Sequence, residues 1–271
     1  MFLCIPVTSI HDLIKNVIQK IRSKLVSKFL PLSGEEAQGI QPKNKFKFFP
    51  NALGAIDSTI IDIRRPSNPE MQKRNYSGKH KRHCVKFQCL VNPDGWCIHY
   101  CGVFNGRKHD IKVFELSKIP NFFQNKRELR NGQRIFYHPQ ILADSGYQGA
   151  QKNYEEIVIP IKKPKGGQLN ENEKEHNRKL GHDRVIVENF FGRMKSLFGI
   201  TFNEYRGDIE LLKEIIPIVI CLTNYHIKEH PLRNPNQDPI SENPSSDNFS
   251  DFHDYSDDNC QILRSFNMEF N

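Results

Sequence analysis

Three carboxylates stand out by their neighbours: Asp57 in GAIDSTI, Asp144 in ILADSGYQG and Glu188 in RVIVENFFGRMK. Asp57 follows Ile56 inside an apolar, strand-like pattern. Asp144 closes the run Ile141, Leu142, Ala143 just before Ser145 and Gly146. A carboxylate in such surroundings is costly to ionise unless a positive group compensates it. A divalent metal would do so. Magnesium and manganese take oxygen ligands and keep several waters, so two or three protein carboxylates with open positions suit them. Each acid also has a plainer reading: Asp144 as a turn or helix cap before Gly146, Asp57 as a strand-edge residue, and Glu188 as the partner of Arg184 in an i,i+4 pair on a solvated helix face.

The elements that must carry these acids follow from the pattern around them. At about 100° per residue, Asn177, Arg184, Glu188 and Lys195 fall in one narrow sector of a helix. Leu180, Val187, Phe191, Met194 and Phe198 form the adjacent apolar stripe, so this helix, expected over Glu171 to Phe198, can pack on a sheet and tilt Glu188 toward its rim. Gly181 leaves open a restart near Asp183. Strands are expected over Leu53 to Ile63, Cys84 to Val91 and Trp96 to Phe104, the last two joined as a hairpin by Asn92, Pro93, Asp94 and Gly95. A short helix after His109 would carry Ile111, Val113, Phe114 and Leu116. A fourth strand is expected from Arg134 to Ala143, a further apolar run from Ile157 to Ile161, and a last helix from Ile209 to about Lys228 with Pro217 as a kink point. Strands first antiparallel and then alternating with helices describe an α/β fold, a mixed sheet with helices on its faces.

Ahead of this lies an amphipathic helix from Ile10 through Leu13, Ile14, Val17, Ile18, Ile21 and Leu25, with Ser9 available as its N-cap. It is expected to pack on the core in preference to binding a partner. A polar stretch from Ser33 to Lys47 reads as a linker. The organisation expected is therefore a helix and linker over residues 1–47, one main domain over 48–228, and an acidic, disordered tail over 229–271.

Composition agrees with one sizeable core, 271 residues with 37% hydrophobic content, and separates two charge regimes. From Glu229 onward nine acidic residues stand against Arg233 and Arg264, a net −7, so the whole-chain +8 leaves +15 on the first 228 residues. Such a surplus suits a polyanion such as nucleic acid. Eight Lys or Arg residues run from Arg64 to Lys86, interleaved with Tyr76 and Gly78. Within that loop Arg64, Arg65, Lys73, Arg74, Lys79, Lys81 and Arg82 are the candidate phosphate contacts, joined by Lys162, Lys163 and Lys165 and, flanking Glu188, by Arg184 and Lys195. Seven cysteines at irregular positions read as free thiols in a reducing compartment, and the gaps among Cys84, Cys89, Cys97 and Cys101 match no zinc pairing. The apolar N-terminal stretch is too short for a signal-peptide core or a membrane span, so a soluble, unsecreted protein without a membrane partner is expected.

The segments GAIDST, FNGRKHDIKVFELS, LADSGYQG and RVIVENFFGRMK resemble the DDE endonuclease domain of the Harbinger and IS5-type transposases, in order from about Phe48 to Ile227, with 44 positions from Asp144 to Glu188. The resemblance implies an RNase H-like fold with the first Asp on the first strand, the second after the fourth strand and the Glu on a later helix. By motif, Asp57, Asp144 and Glu188 would be the catalytic residues and the ligands of two Mg²⁺ or Mn²⁺ ions, with Asp110 auxiliary to them or simply a favourable acid at a helix start. It implies two-metal cutting, and possible joining, of double-stranded DNA by in-line displacement, a nuclear location, and a homo-oligomer as one possible assembly. One departure is that Ser58, Thr59 and Ile60 follow Asp57 where the family often has Gly-Thr-His. Another is that only about 47 residues with one clear helix precede the match. A truncated copy, a gene-model fragment or a protein using a separate DNA-binding partner is therefore expected.

Three functions compete on this footing. The first is a metal-dependent DNA endonuclease of transposase origin. The second is a domesticated or truncated transposase that binds DNA or protein without cutting. The third, a hydrolase of small phosphate esters, leaves the +15 region without a purpose and ranks last.

Overall fold

The computed structural model describes residues 7–30, 42–117, 119–120 and 140–232. Strand β1 (Ala52–Asp62) is the axis of the sheet. It pairs antiparallel with β3 (Arg82–Val91), Asp57 opposite Cys89, and parallel with β5 (Gln140–Ala143), Ile56 opposite Ala143. Beyond β5 lies β6 (Ile157–Val158), also parallel, and on the far edge of β3 lie the two-residue β2 (Tyr76–Ser77) and β4 (Cys97–Asn105). Among the described residues the sheet is thus mixed and six-stranded, with helices on its faces, consistent with an RNase H-like fold.

The β3–β4 hairpin closes as its turn residues predict. Asn92 Oδ1 accepts from the backbone N–H groups of Asp94 and Trp96 at 3.1 and 2.9 Å, and Gly95 takes φ 84°, a value open to glycine at little cost.

Alternation along β1 sends successive side chains to opposite faces. Ala55, with Phe87, Cys89 and Val91 of β3, meets the long helix α4 (Glu171–Leu197) through Leu180, Val187, Phe190 and Met194, and α6 (Ile209–Glu229) through Leu212, Ile216 and Ile220. Ile56, Leu90, Ile98 and Ile141 face the other way, onto Phe114 of the short helix α3 (Asp110–Leu116) and onto Tyr147. Each fully buried side chain of this size contributes about 1.5–3 kcal/mol of transfer free energy.

Helix α4 starts on a capping box between Asn170 and Glu173 and runs unbroken through Gly181, so the restart near Asp183 does not occur. Tertiary contact overrides the local glycine. Buried Asp183 accepts from the backbone N–H groups of Phe48 and Phe49 at 2.8 and 3.0 Å, which ties the helix to the chain leading into β1. Asn224 does comparable work on α6. Its amide bonds both backbone groups of Cys97 at 2.8 Å and donates to Phe29 O at 2.9 Å, joining β4 and the end of α1 (Val7–Phe29).

Helix α1 begins earlier than its sequence signal, at Val7, so Ser9 lies inside the first turn and is not the N-cap. The basic loop holds an element that its polar composition hid: α2 (Pro69–Asn75), started by Asn68 accepting from Glu70 N and Met71 N with Pro69 at the first helical position. The four-residue α5 (Gly199–Phe202) links α4 to α6. Of the expected fourth strand, residues 134–139 lie outside the described residues, as do 33–41 of the linker and 233–271 of the acidic tail. No described helix is long and apolar enough to cross a membrane.

Candidate active site

Strand register brings two of the sequence-selected acids together. Because Ile56 of β1 pairs with Ala143 of the parallel neighbour β5, the next residues, Asp57 within β1 and Asp144 just past the end of β5, stand side by side. The carboxyl ends of parallel strands are where open α/β sheets place ligands. Asp57 stays within β1 and points toward α4, and its Oδ1 accepts from Ser58 N at 2.7 Å. Asp144 keeps its plainer role as well, capping the single turn Ser145–Tyr147 through Gly146 N at 2.8 Å.

Asp110 joins them from the start of α3. A Cβ built on Gly146 would stand 3.0 Å from Asp144 Oδ1 and 3.1 Å from Asp110 Oδ2, so both carboxylates close over this glycine. Lys86 Nζ, largely buried on β3, holds Asp110 Oδ1 at 2.9 Å. The three aspartates form one electrostatic unit. Burial pushes the Asp57 carboxyl up to about 7, the Asp144 charge adds to this, and the Arg184 guanidinium opposes it. Behind them the buried Tyr147 hydroxyl accepts from Gln88 Nε2 at 2.8 Å. Burial first, and then the charges of Asp57 and Asp110, keep that phenol protonated.

Glu188 enters through Arg184. The two side chains form an i,i+4 ion pair at 2.9 Å, with Arg184 mostly enclosed and Glu188 half exposed. Arg184 thus pairs with Glu188 and also lies within electrostatic reach of Asp57. Among the described residues no three His, Cys, Asp or Glu side chains stand close enough together to hold an ion as they are. The donor set nevertheless fits a hard divalent cation: the acids offer only oxygen, and burial together with the Asp144 charge disfavours the Asp57 carboxylate more than Arg184 compensates. Asp57 and Asp144 would be its first ligands, with Asp110 beside them.

The basic candidates divide by location. Lys79 and Lys81 sit on the exposed tip of the β2–β3 hairpin, where Lys81 adopts φ 51°, uncommon for a residue with a side chain. Arg64 and Lys73 are exposed, while Arg65, Arg74 and Arg82 are engaged locally with Gln72, Glu70 and Asp62. Lys162, Lys163 and Lys165 line an exposed segment that leads toward α4. Lys195 lies apart from Glu188, mostly enclosed near Asp62 and Arg82, and burial lowers its pKa. Asn177 is committed to the backbone of Ile161, bonding both its N–H and its carbonyl. Cys84, Cys89, Cys97, Cys101 and Cys221 are free thiols.

Sequence reasoning passed over Lys86, Gln88 and Tyr147. Tyr147 had a signal, its place in the ADSGYQG segment, whereas Lys86 reads locally as one more cation of a basic run.

Comparison with known proteins agrees with this geometry. Residues 56–224 match the family described as DDE superfamily endonuclease. A probable transposase for insertion sequence element IS702 from Microchaete diplosiphon is 34% identical over 155 residues, covering 57% of this chain and 50% of that protein. The chain thus aligns with about half the length of this curated relative. No solved structure matches. The family match spans more than half of the chain and takes in the strand of Asp57, the turn of Asp144 and the helix of Glu188, and on that ground the chain belongs to the DDE superfamily endonucleases.

Proposed function

We propose that this protein is a divalent-metal-dependent endonuclease of transposase type that cuts, and can join, double-stranded DNA. The observation that carries the reading is the meeting of Asp57 within β1, Asp144 at the end of β5 and Asp110 at the start of α3, with the Arg184–Glu188 ion pair on α4. A pair of Mg²⁺ or Mn²⁺ ions would supply an activated water or 3′-hydroxyl and stabilise the leaving oxygen of an in-line displacement. Asp57 and Asp144 would hold such ions from the sheet, and Glu188 from α4 after leaving Arg184. Arg184, once released, would be free to pair with a backbone phosphate. Lys79, Lys81, Lys162, Lys163 and Lys165 would contact phosphates outside the site, giving affinity without sequence choice. The motifs around the four acids support the Harbinger or IS5-type branch, and the insertion-sequence relative is in keeping with it.

The ion pair that occupies Glu188 favours one alternative, a chain that binds duplex DNA without cutting it. Nicking of labelled duplex DNA in Mg²⁺ or Mn²⁺, run beside Asp144→Ala, separates the two. Cleavage by the parent and its loss in the variant are expected if Asp144 is a metal ligand. Cleavage that survives the substitution would remove the site assignment, and binding without cleavage by the parent would favour the alternative. Isothermal titration of Mn²⁺ into both proteins gives a readout independent of turnover.

A further inference from the structure

Lys86 sits in the middle of β3, between Ile60 of β1 and Phe104 of β4, and only 13% of its side chain is exposed. Enclosing an ammonium group is costly unless a hydrogen-bonded partner of opposite charge comes with it. That partner is Asp110, the first residue of α3, whose Oδ1 accepts from Lys86 Nζ at 2.9 Å. The other oxygen of the same carboxylate, Oδ2, lies over Gly146 together with Asp144 Oδ1: a Cβ on that glycine would stand 3.1 and 3.0 Å from the two. Asp110 thus commits one oxygen to Lys86 and holds the other beside Asp144. Neighbouring carboxylates repel each other. Asp110 has room to yield to that repulsion, because a quarter of its side chain is exposed and the N-cap residue before it, His109, makes no side-chain capping bond.

We propose that Lys86 is a positioning residue of the metal site: by holding Oδ1 of Asp110 it aims Oδ2 at the space shared with Asp144, so that Asp110 joins Asp57 and Asp144 in taking a divalent cation. The inference rests on the reading of these acids as a metal site, and it names the residue that fixes the third of them. Metal-binding carboxylates are themselves oriented by hydrogen-bonded neighbours, whose loss weakens the ion about 10- to 100-fold. Lys86 has two opposed effects on a bound ion. Its charge repels the ion, so on charge alone Lys86→Met would bind metal more tightly. Its bond keeps a ligand in place, so on orientation Lys86→Met would bind metal more weakly. Orientation wins here, because without Lys86 the like charge of Asp144 turns Asp110 out toward water.

Isothermal titration of Mn²⁺ into the whole chain reads the sign directly. Lys86→Met and Lys86→Gln should each bind about 10- to 100-fold more weakly than the parent, and Lys86→Arg, which keeps a charged donor, should recover part of the loss. Methionine retains the apolar stem that packs between the strands, so Lys86→Met should remain folded, as a melting curve in EDTA checks. Because Lys86 acts through Asp110, the double variant Lys86→Met with Asp110→Asn should bind Mn²⁺ no more weakly than Asp110→Asn alone, whereas a defect spread through the fold would add to it. Unchanged or tighter binding by Lys86→Met and Lys86→Gln, or losses that add in the double variant, would overturn the role of Lys86 and leave the metal site standing. A parent that takes up no Mn²⁺ would overturn both.

Discussion

Arg184 holds the Glu188 carboxylate at 2.9 Å while opposing the burial and like charge that raise the Asp57 carboxyl. One guanidinium thus serves two acids that lie on different elements. Arg184→Gln would release Glu188 and remove the cation that favours ionised Asp57. Nicking should fall about tenfold or more at neutral pH, with the loss shrinking as pH rises, because one pH unit offsets a tenfold change in carboxylate population. A pH–rate profile with added Mg²⁺ checks this. A loss that stays constant across pH would mean that Arg184 acts on DNA alone.

The Asp57 carboxyl, raised from 3.8 to about 7, makes stability depend on pH. Between those values the folded chain keeps a proton that the unfolded chain has released. Rising pH therefore withdraws stability through this window, and the full penalty, on the order of a few kcal/mol, stands above it. Asp57→Asn should melt above the parent near pH 8 in EDTA, with the gap closing as the pH falls toward 4. Mg²⁺ should recover part of the difference for the parent and none for the variant. A parent that gains stability on the variant between pH 5 and 8 would contradict the burial of this charge.

Gly146→Ala tests how closely Asp144 and Asp110 approach. The added methyl would meet their oxygens at 3.0 and 3.1 Å, a contact that either carboxylate can relieve only by turning away. Gly146 is exposed, so the melting temperature should shift little while Mn²⁺ affinity and nicking fall about ten- to a hundredfold, the usual cost of disturbing groups beside a metal ligand. Unchanged Mn²⁺ affinity would separate Asp110 from the site.

Much of this site was legible because period and motif carry it. Alternation around Asp57 predicted a strand, the turn residues predicted the β3–β4 hairpin, and the apolar stripe of α4 set which face of the helix meets the sheet. Other features depend on pairing between distant segments, which local pattern cannot report. Ile56 lies beside Ala143 only because β5 enters the sheet parallel to β1, and only that register places Asp144 next to Asp57. The closeness of Asp110 to Asp144, the Lys86 ion pair and the Tyr147–Gln88 bond likewise join positions dozens of residues apart. Gly181 shows a local signal losing to helix packing on the core.

The β2–β3 hairpin tip offers a charge test. Lys79→Ala with Lys81→Ala removes two exposed cations from a four-residue loop without touching the sheet. Duplex binding should weaken uniformly across sequences, and the slope of log K against log salt should drop by about two. An unchanged slope would move the DNA surface away from this hairpin.

Asp183 links the site to the stability of the whole domain. It is fully buried, its Oδ2 receives the backbone N–H groups of Phe48 and Phe49, and its Oδ1 lies 3.0 Å from His182 Nδ1. Asp183→Ala would leave two backbone donors without their acceptor where the chain turns into β1, at a cost of about 3 kcal/mol. For a domain of this size that is roughly a 6–12 °C drop in melting temperature. Asp183→Asn keeps the shape and one acceptor oxygen, so it should lose less than half as much. Because Asp183 precedes Arg184 on α4 and anchors the segment before the strand of Asp57, both variants should also loosen the placement of the two facing elements. The expected signature is weaker Mn²⁺ binding in Asp183→Ala, partly restored in Asp183→Asn, at temperatures well below either melting point. If calorimetry instead gives equal stability for Asp183→Ala and the parent, the bonds to Phe48 and Phe49 do not hold α4 against β1.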